Sequence, residues 1–524
     1  MLAVVGGTAL ALAFPKTNVA GLAWIAPALI LFAARRGSNF WLGYLAGFTH
    51  YLVSLSWLLH IPVKFYPILG WIALAGYLAL YPAAWAWLCL RKVEGGRWRV
   101  ESWWGRTAFA MFCAVAWVAM EMIVSRMFTG FPWNMLGVSQ HRLLPLIQIA
   151  SWTGIYGVAF LVVWFSASLL NACDALMRSP GARNVWLKEL ALPILVIAAA
   201  YACGLHRIRS EPKADDTLRI ALVQPSIPQT MIWNPDDSDV RFAELIKLTE
   251  TALTNKPQLV IWPEAAVPKM VRAYPDTERA IAELARTNQV WLIIGSDDFD
   301  FRGTNAIYFN SSFLVSPRGE FLSKYRKRRL VVFGEYVPLI KWIPFVKYLT
   351  PISSGFTPGE KPVTFDLGEL GVKTSVLICF EDVFPHYARE HATGEVDFLV
   401  NITNDGWFGE SAAQWQQAAS AVFRAIENGV PLVRCANNGL SCWIDRFGGL
   451  NNVYFEGSTD IYQAGFKLVT VPVYSGTAKP SPTFYNRHGD WFGWSCVLIT
   501  TVAFAPTVLQ WWRKRRSTRA ATAG

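Results

Sequence analysis

Charge is what this chain has least of. Aspartate, glutamate, lysine and arginine make up 16% of its 524 residues, against about a quarter in ordinary soluble domains. The shortage is uneven. Residues 1–206 and 490–512 are long apolar runs with few charges, whereas residues 217–475 have the polarity of a globular domain. Metal-ligand spacing is missing as well: the eight Cys and seven His show no paired-ligand pattern, so neither a metal nor a cofactor is expected. A cleaved secretory leader is not expected either, because the start lacks a basic segment and a second apolar run follows at once. The net charge of +11 comes mainly from basic clusters beside the apolar runs. It points to anionic lipid rather than to nucleic acid.

What is abundant is apolar sequence in lengths that suit a bilayer. Runs of about 17–25 residues can cross one. Eight candidates are present: 1–15, 19–34, 39–60, 67–90, 107–126, 146–172, 188–206 and 490–512. The first two are short enough to form a hairpin or a re-entrant pair. Alternate connections carry the basic residues: Arg35 and Arg36; Arg91, Lys92, Arg97, Arg99 and Arg106; Arg178, Arg183 and Lys188; then Arg513 to Arg516. The other set holds little beyond Lys16, Lys64, Arg126 and Arg142. The positive-inside rule therefore predicts cytoplasmic ends, with residues 217–475 on the outer face.

Within 217–475, strand-like and helical stretches alternate, which predicts an α/β sheet with helices on its faces. Strands are expected at 218–224, 258–262, 290–295, 305–315, 320–325, 373–380 and 397–402. Helices are expected at 239–254, 276–287, 384–392 and 411–428. A hairpin is expected around 431–446, turning at Asn438-Gly439. Counting outward from that turn places Cys435 opposite Cys442, a spacing that permits a disulfide and leaves Cys379 as the odd thiol.

Functional residues of open α/β sheets gather at strand carboxyl ends. Glu264 and Cys379 sit at the ends of predicted strands, and Lys327 and Asn404 follow two others. Taken alone, each has a plainer reading. Cys379 is also what a buried, inert strand-end cysteine looks like, although its neighbours Glu381 and Asp382 argue against a dry core. Glu264 also suits a helix start. Lys327 belongs to a basic run, Lys324 to Arg329, that would also suit phospholipid head groups. Together they make a thiol, a base and a cation. The apolar stretch from Tyr336 to Phe356 reads either as packing on its own domain or as a membrane-facing lid. Glu121 and Arg126, close to Trp133, are charges at or near membrane depth, read either as an interfacial pair or as functional groups.

The order Glu264, Lys327, Cys379, in the contexts Trp-Pro-Glu, Lys-Arg-Arg-Leu-Val-Val-Phe-Gly-Glu and Cys-Phe-Glu, resembles the nitrilase superfamily. With the eight-span frame, and with Ala221 to Gln224, Gly130 to Trp133 and Thr403 to Gly409, the chain is similar to the apolipoprotein N-acyltransferase family. That resemblance implies a membrane helical bundle (1–206, closed by 490–512) carrying a four-layer αββα sandwich (217–475) in the bacterial cytoplasmic membrane. It implies Cys379 as nucleophile, Glu264 as general base and Lys327 as oxyanion stabiliser. Glu335, Glu381, Phe380, Trp233 and Asn404 would be supporting residues. It also implies a phospholipid acyl donor, commonly phosphatidylethanolamine, and as acceptor the α-amine of an S-diacylglyceryl cysteine. Phe380 stands where the family often has Tyr, Val332 where Pro is common and Gly406 where Ala is frequent. A membrane-anchored nitrilase-type amidase and a non-catalytic partner on the same scaffold are the alternatives; a transporter with an outer domain ranks below both.

Overall fold

The computed structural model describes residues 1–94, 102–178, 185–211, 214–338, 355–393, 396–474 and 479–521. Most of the Tyr336–Phe356 stretch lies outside them. The chain divides into two compact units. The first comprises Met1–Ser56, Ile72–His206 and the chain from His488 onward; the second comprises Trp57–Trp71 and Arg207–Arg487.

The first unit is helical. Among the described residues, four helices are long and apolar enough to cross a membrane by length and composition: Tyr66–Arg91, Trp103–Val124, Ile155–Arg178 and Trp186–Arg209. Of the other expected spans, Leu2–Leu12, Ala20–Ala34 and Trp491–Pro506 are shorter apolar helices. At 1.5 Å per residue, 11 residues rise only about 17 Å, roughly half of a hydrocarbon core. The expected span at 39–60 is an α-helix over Asn39–Ser54, followed by a 3-10 turn at Ser56–His60. The one expected at 146–172 begins as two short turns, Leu144–Ile147 and Ala150–Thr153. Gly154, at φ 67°, breaks the run before the long helix starts at Ile155. Small residues let helix backbones meet: a Cβ on Gly7 would lie 2.1 Å from the Ala46 carbonyl oxygen of the Asn39–Ser54 helix.

The described residues of the second unit form twelve strands. In chain order they are β1 Asp216–Gln224, β2 Leu259–Ile261, β3 Trp291–Arg302, β4 Asn305–Val315, β5 Phe321–Arg326, β6 Thr364–Asp366, β7 Lys373–Ile378, β8 Phe398–Thr403, β9 Leu432–Ala436, β10 Cys442–Ile444, β11 Leu450–Asn451 and β12 Gly465–Val473. They form two six-stranded sheets, ordered β12-β1-β2-β3-β4-β5 and β11-β10-β9-β8-β7-β6. Alternation of side chains sets the layers. Ile220, Ile261, Ile293 and Leu314 of the first sheet pack with Val376, Ile378, Val400 and Val433 of the second. The opposite face of the first sheet, through Val260, Leu292 and Ile294, packs against the helices Ser238–Leu253 and Pro275–Asn288. The helices Pro385–His391 and Ala413–Asn428 follow strands of the second sheet. The architecture is an αββα sandwich, as the resemblance implied.

The hairpin register differs from expectation by one residue. Cys442 faces Arg434, not Cys435, so the two thiols point to opposite faces of the sheet and both are free. The cause is Asn437. Its N–H donates to Thr403 O (2.9 Å), and its side-chain amide donates to Ile227 O (2.8 Å) and Asn404 Oδ1 (3.0 Å). Asn437 therefore serves the neighbouring strand ends and not the turn, while the Ala436 N–H is taken by Ser441 Oγ (3.0 Å).

Candidate active site

The carboxyl ends of the parallel strands converge where the sequence pointed. After β2 the chain runs through Trp262-Pro263 to Glu264, which is 6% exposed. It crosses directly over β3 at Gly295, where a Cβ would sit 2.2 Å from the Pro263 carbonyl oxygen. Lys327 follows β5 and is 1% exposed. Its ammonium donates to Glu264 Oε1 (3.0 Å) and Glu335 Oε1 (2.8 Å). Burial alone would discharge it, but the two carboxylates outweigh burial and hold its pKa well above the ordinary lysine value.

Glu264 is held on every side. Oε1 also accepts from Asn310 Nδ2 (2.7 Å), and Oε2 accepts from the Asn404 N–H (2.9 Å). The second carboxylate, Glu335, accepts from Asn310 Nδ2 (3.0 Å) and from the Val331 N–H (2.8 Å). Asn310 thus ties both acids to β4.

Cys379 ends β7 and opens a 3-10 turn, Cys379–Val383. Its φ of 55° is in the left-handed region, unfavourable for a non-glycine residue and common at functional sites. Asn401 Nδ2 donates to its carbonyl (2.8 Å). Burial pushes the thiol pKa well up; Glu264, Glu335 and Asp405 add to that, and Lys327 opposes it. The resting group is therefore a neutral thiol. Lys327 Nζ lies 5.9 Å from the centre of the Phe380 ring.

Glu381 joins the two sheets at this point. Its buried carboxylate accepts from Tyr325 Oη (2.9 and 3.0 Å) and from the N–H groups of Arg328 (2.8 Å), Arg329 (2.9 Å) and Ile378 (2.8 Å). One side chain thus pins the segment that carries Lys327 to the turn that carries Cys379. Asn404 Nδ2 donates to Gln229 Oε1 (2.9 Å) at the start of the short helix Gln229–Ile232, which Trp233 follows. Trp233 is exposed, its ring 5.3 Å from Trp407. Beneath the site, Arg434 is fully buried and donates to Asp382 (2.6 Å), Asp405 (3.0 Å) and Asn401 (2.9 Å).

Glu121, Arg126 and Trp133 belong to the other unit. Glu121 Oε1 accepts from Trp117 Nε1 (3.0 Å) and the Leu136 N–H (2.7 Å), inside a cavity also lined by Phe14, His50, Trp85 and Trp133. Arg126 pairs with Asp490 and lies over the Trp494 ring at 5.3 Å. Neither residue joins the Glu264 cluster. Sequence reasoning missed Asn310, Tyr325 and Arg434. The signal for Asn310 was faint: a polar Asn-Ser-Ser step inside an apolar strand. Among the described residues no cluster of potential metal ligands is present.

Residues 219–464 match the carbon-nitrogen hydrolase family, and residues 6–168 match the apolipoprotein N-acyltransferase N-terminal domain. An apolipoprotein N-acyltransferase of Geobacter metallireducens is 36% identical over 517 residues, 96% of this chain and 94% of that protein. One from Rickettsia prowazekii is 31% identical over 410 residues, 78% and 79% of the respective chains. Among solved structures, an amidase from Nesterenkonia sp. aligns with TM-score 0.36 and 19% identity, covering 50% of this chain and 92% of that one, too distant to bear on function. The chain belongs to the apolipoprotein N-acyltransferase family.

Proposed function

We propose that this enzyme moves an acyl chain from a phospholipid, with phosphatidylethanolamine the favoured donor, to the N-terminal α-amine of S-diacylglyceryl-cysteine in an apolipoprotein, through a thioester on Cys379. The observation that carries this reading is the buried ion cluster of Glu264, Lys327 and Glu335, whose charges act on the strained Cys379 thiol. Glu264 takes the thiol proton as sulfur attacks the ester carbonyl. Lys327 and a backbone N–H near Phe380 hold the oxyanion. One such donor contributes about 10²- to 10³-fold in kcat. The tetrahedral intermediate expels the lysophospholipid alkoxide, which takes the proton back from Glu264. The lipoprotein amine then attacks the thioester and loses a proton to Glu264, and the thiol is released reprotonated.

Water must be excluded while the thioester stands, or the net reaction becomes lipolysis. The basic clusters favour both chain ends in the cytoplasm and residues 217–475 outside. The units 1–206, 217–475 and 490–512 would then be anchor, catalyst and final span. The test is mass spectrometry of protein incubated with phosphatidylethanolamine alone. One acyl mass is expected on the Cys379 peptide of the wild type and none in Cys379→Ser. A wild-type protein that acylates an acceptor peptide without ever carrying that mass would overturn the thioester route.

A further inference from the structure

One carboxyl group beside the catalytic cluster has no role in the scheme above. Asp297 lies on β3, directly opposite Asn310 on β4. Residues facing each other across an antiparallel pair project from the same side, with Cβ atoms about 4.5–5.5 Å apart. That side is the one facing the second sheet, because Ile293 and Leu314, at alternating positions on the same two strands, both lie in the core between the sheets. Asp297 is half-buried and takes part in no ion pair among the described residues. Its neighbour Asp298 faces the other way and draws Arg272 (3.0 Å), Lys324 (2.9 Å) and Arg326 (2.7 Å). The cations of that region are therefore engaged elsewhere.

Two observations decide its protonation. The first is the hydrogen-bond count at Asn310. Its Nδ2 donates to both Glu264 and Glu335, which fixes the amide orientation, because the reverse would set its oxygen against two carboxylates. Its Oδ1 is left buried with no partner, a costly condition for an acceptor. The second is the charge count. Glu264 and Glu335 share one cation, Lys327, and each accepts at least three hydrogen bonds from donors in the site, as ionised carboxylates do. A third ionised acid here would have no counter-charge of its own. The groups acting on Asp297 are consistent with this. Burial, then Glu264, then Glu335 raise its pKa to about 7, and Lys327 opposes them.

We propose that Asp297 works as a neutral carboxylic acid, a positioning residue whose hydroxyl donates to Asn310 Oδ1 and so locks the amide that holds Glu264 and Glu335 in place. The two residues face each other across β3 and β4, a separation of about 4.5–5.5 Å between Cβ atoms that a carboxyl-to-amide hydrogen bond can span. Ionisation would remove the donor, set two oxygens against each other and place a third negative charge beside a thiol that Glu264 already makes hard to ionise. The consequence is an alkaline limb on the acylation rate that belongs to Asp297 and not to the nucleophile. This inference rests on the thioester reading of the site.

The experiment is single-turnover acylation of the full-length protein by phosphatidylethanolamine, read as Cys379 adduct between pH 6 and pH 9, for wild type, Asp297→Asn and Asp297→Leu. Asparagine keeps a donor for Asn310 Oδ1 and cannot ionise, so Asp297→Asn is expected to keep near-wild-type rates at low pH and to lose the limb. Above the ionisation, the wild-type rate relative to Asp297→Asn should fall by up to about tenfold per pH unit. Asp297→Leu, with no donor, should be slow throughout. An infrared band of a protonated carboxyl, present in wild type at pH 6 and missing from Asp297→Asn, is the independent readout. Adduct formation with the same pH profile in wild type and Asp297→Asn would overturn the proposal and leave the thioester reading standing. Absence of adduct at every pH in the wild type would instead bring down the thioester reading.

Discussion

At the scale of single residues, Lys327 carries the most consequence. It is a buried cation between two buried carboxylates. Replacing it by Ala strands both acids, and breaking a buried ion pair in this way costs about 3–5 kcal/mol. Lys327→Ala is therefore expected to lower the denaturant midpoint of the second unit and to slow the proposed Cys379 acylation by about 10²- to 10³-fold. Lys327→Met would separate lost charge from lost volume, since it fills the space but supplies no charge. His391 makes a second prediction. It is buried, its Nδ1 2.8 Å from Ser375 Oγ, its ring edge-on to Tyr325. Burial, helped by Arg328, lowers its pKa from 6.5 to about 3. The unfolded chain therefore takes up a proton as pH falls below 6.5 while the folded chain does not, and stability drains away between there and pH 3. The loss is about 1.4 kcal/mol per pH unit at its steepest. His391→Gln should unfold with a flatter pH dependence from pH 6 to pH 4, measured by denaturant titration of the full chain.

At the scale of elements, the second sheet depends on one arginine. Arg434 on β9 binds Asp382 after β7, Asp405 after β8 and Asn401 on β8. Three parallel strands and the turns that follow them are joined through a single guanidinium. Arg434→Met is expected to destabilise by about 3–5 kcal/mol, because two buried acids lose their partner. It should also displace Cys379 indirectly, since Asp382 shares its turn. The check is acylation rate against stability: an Arg434→Met protein that keeps wild-type acylation would show that the turn holds without it. Element types were largely legible in the sequence, since β1, β4, β5 and β8 and the helices Ser238–Leu253 and Ala413–Asn428 all lie within a few residues of expectation. Three strands were not legible. β6 and β11 are too short to show a period, and β12 puts the charged Lys467 in line with buried Val469 and Val471 while Leu468 faces outward, so no apolar–polar alternation marks it. The extension of β3 past Gly295 was missed for the same reason, because its later residues are acidic and look like loop.

At the scale of the whole molecule, the testable quantity is sidedness. The basic clusters predict Arg36 in the cytoplasm and residues 217–475 outside. Asp276 and Arg36 are both exposed. In a background with Cys173, Cys203 and Cys379 changed to Ser, an impermeant maleimide should label Asp276→Cys in intact cells. It should label Arg36→Cys only after permeabilisation. The reverse pattern would invert the molecule and put the proposed acceptor out of reach.

The sequence alone determined the family and the division into an apolar helical part and a polar α/β part, and it singled out Glu264, Lys327 and Cys379 as candidates. These are properties of local composition and of short motifs at strand ends, where neighbouring residues report burial and chain direction. Only the tertiary structure decided the partners: Asn310 between two acids, Glu381 pinning one sheet to the other, Arg434 beneath them, and Cys435 turned away from Cys442. Each of those depends on register between strands distant in the chain, and a one-residue slip reverses which face a side chain occupies. No local pattern encodes that choice, because the hydrogen bonds that settle it, such as those of Asn437, are made to other strands.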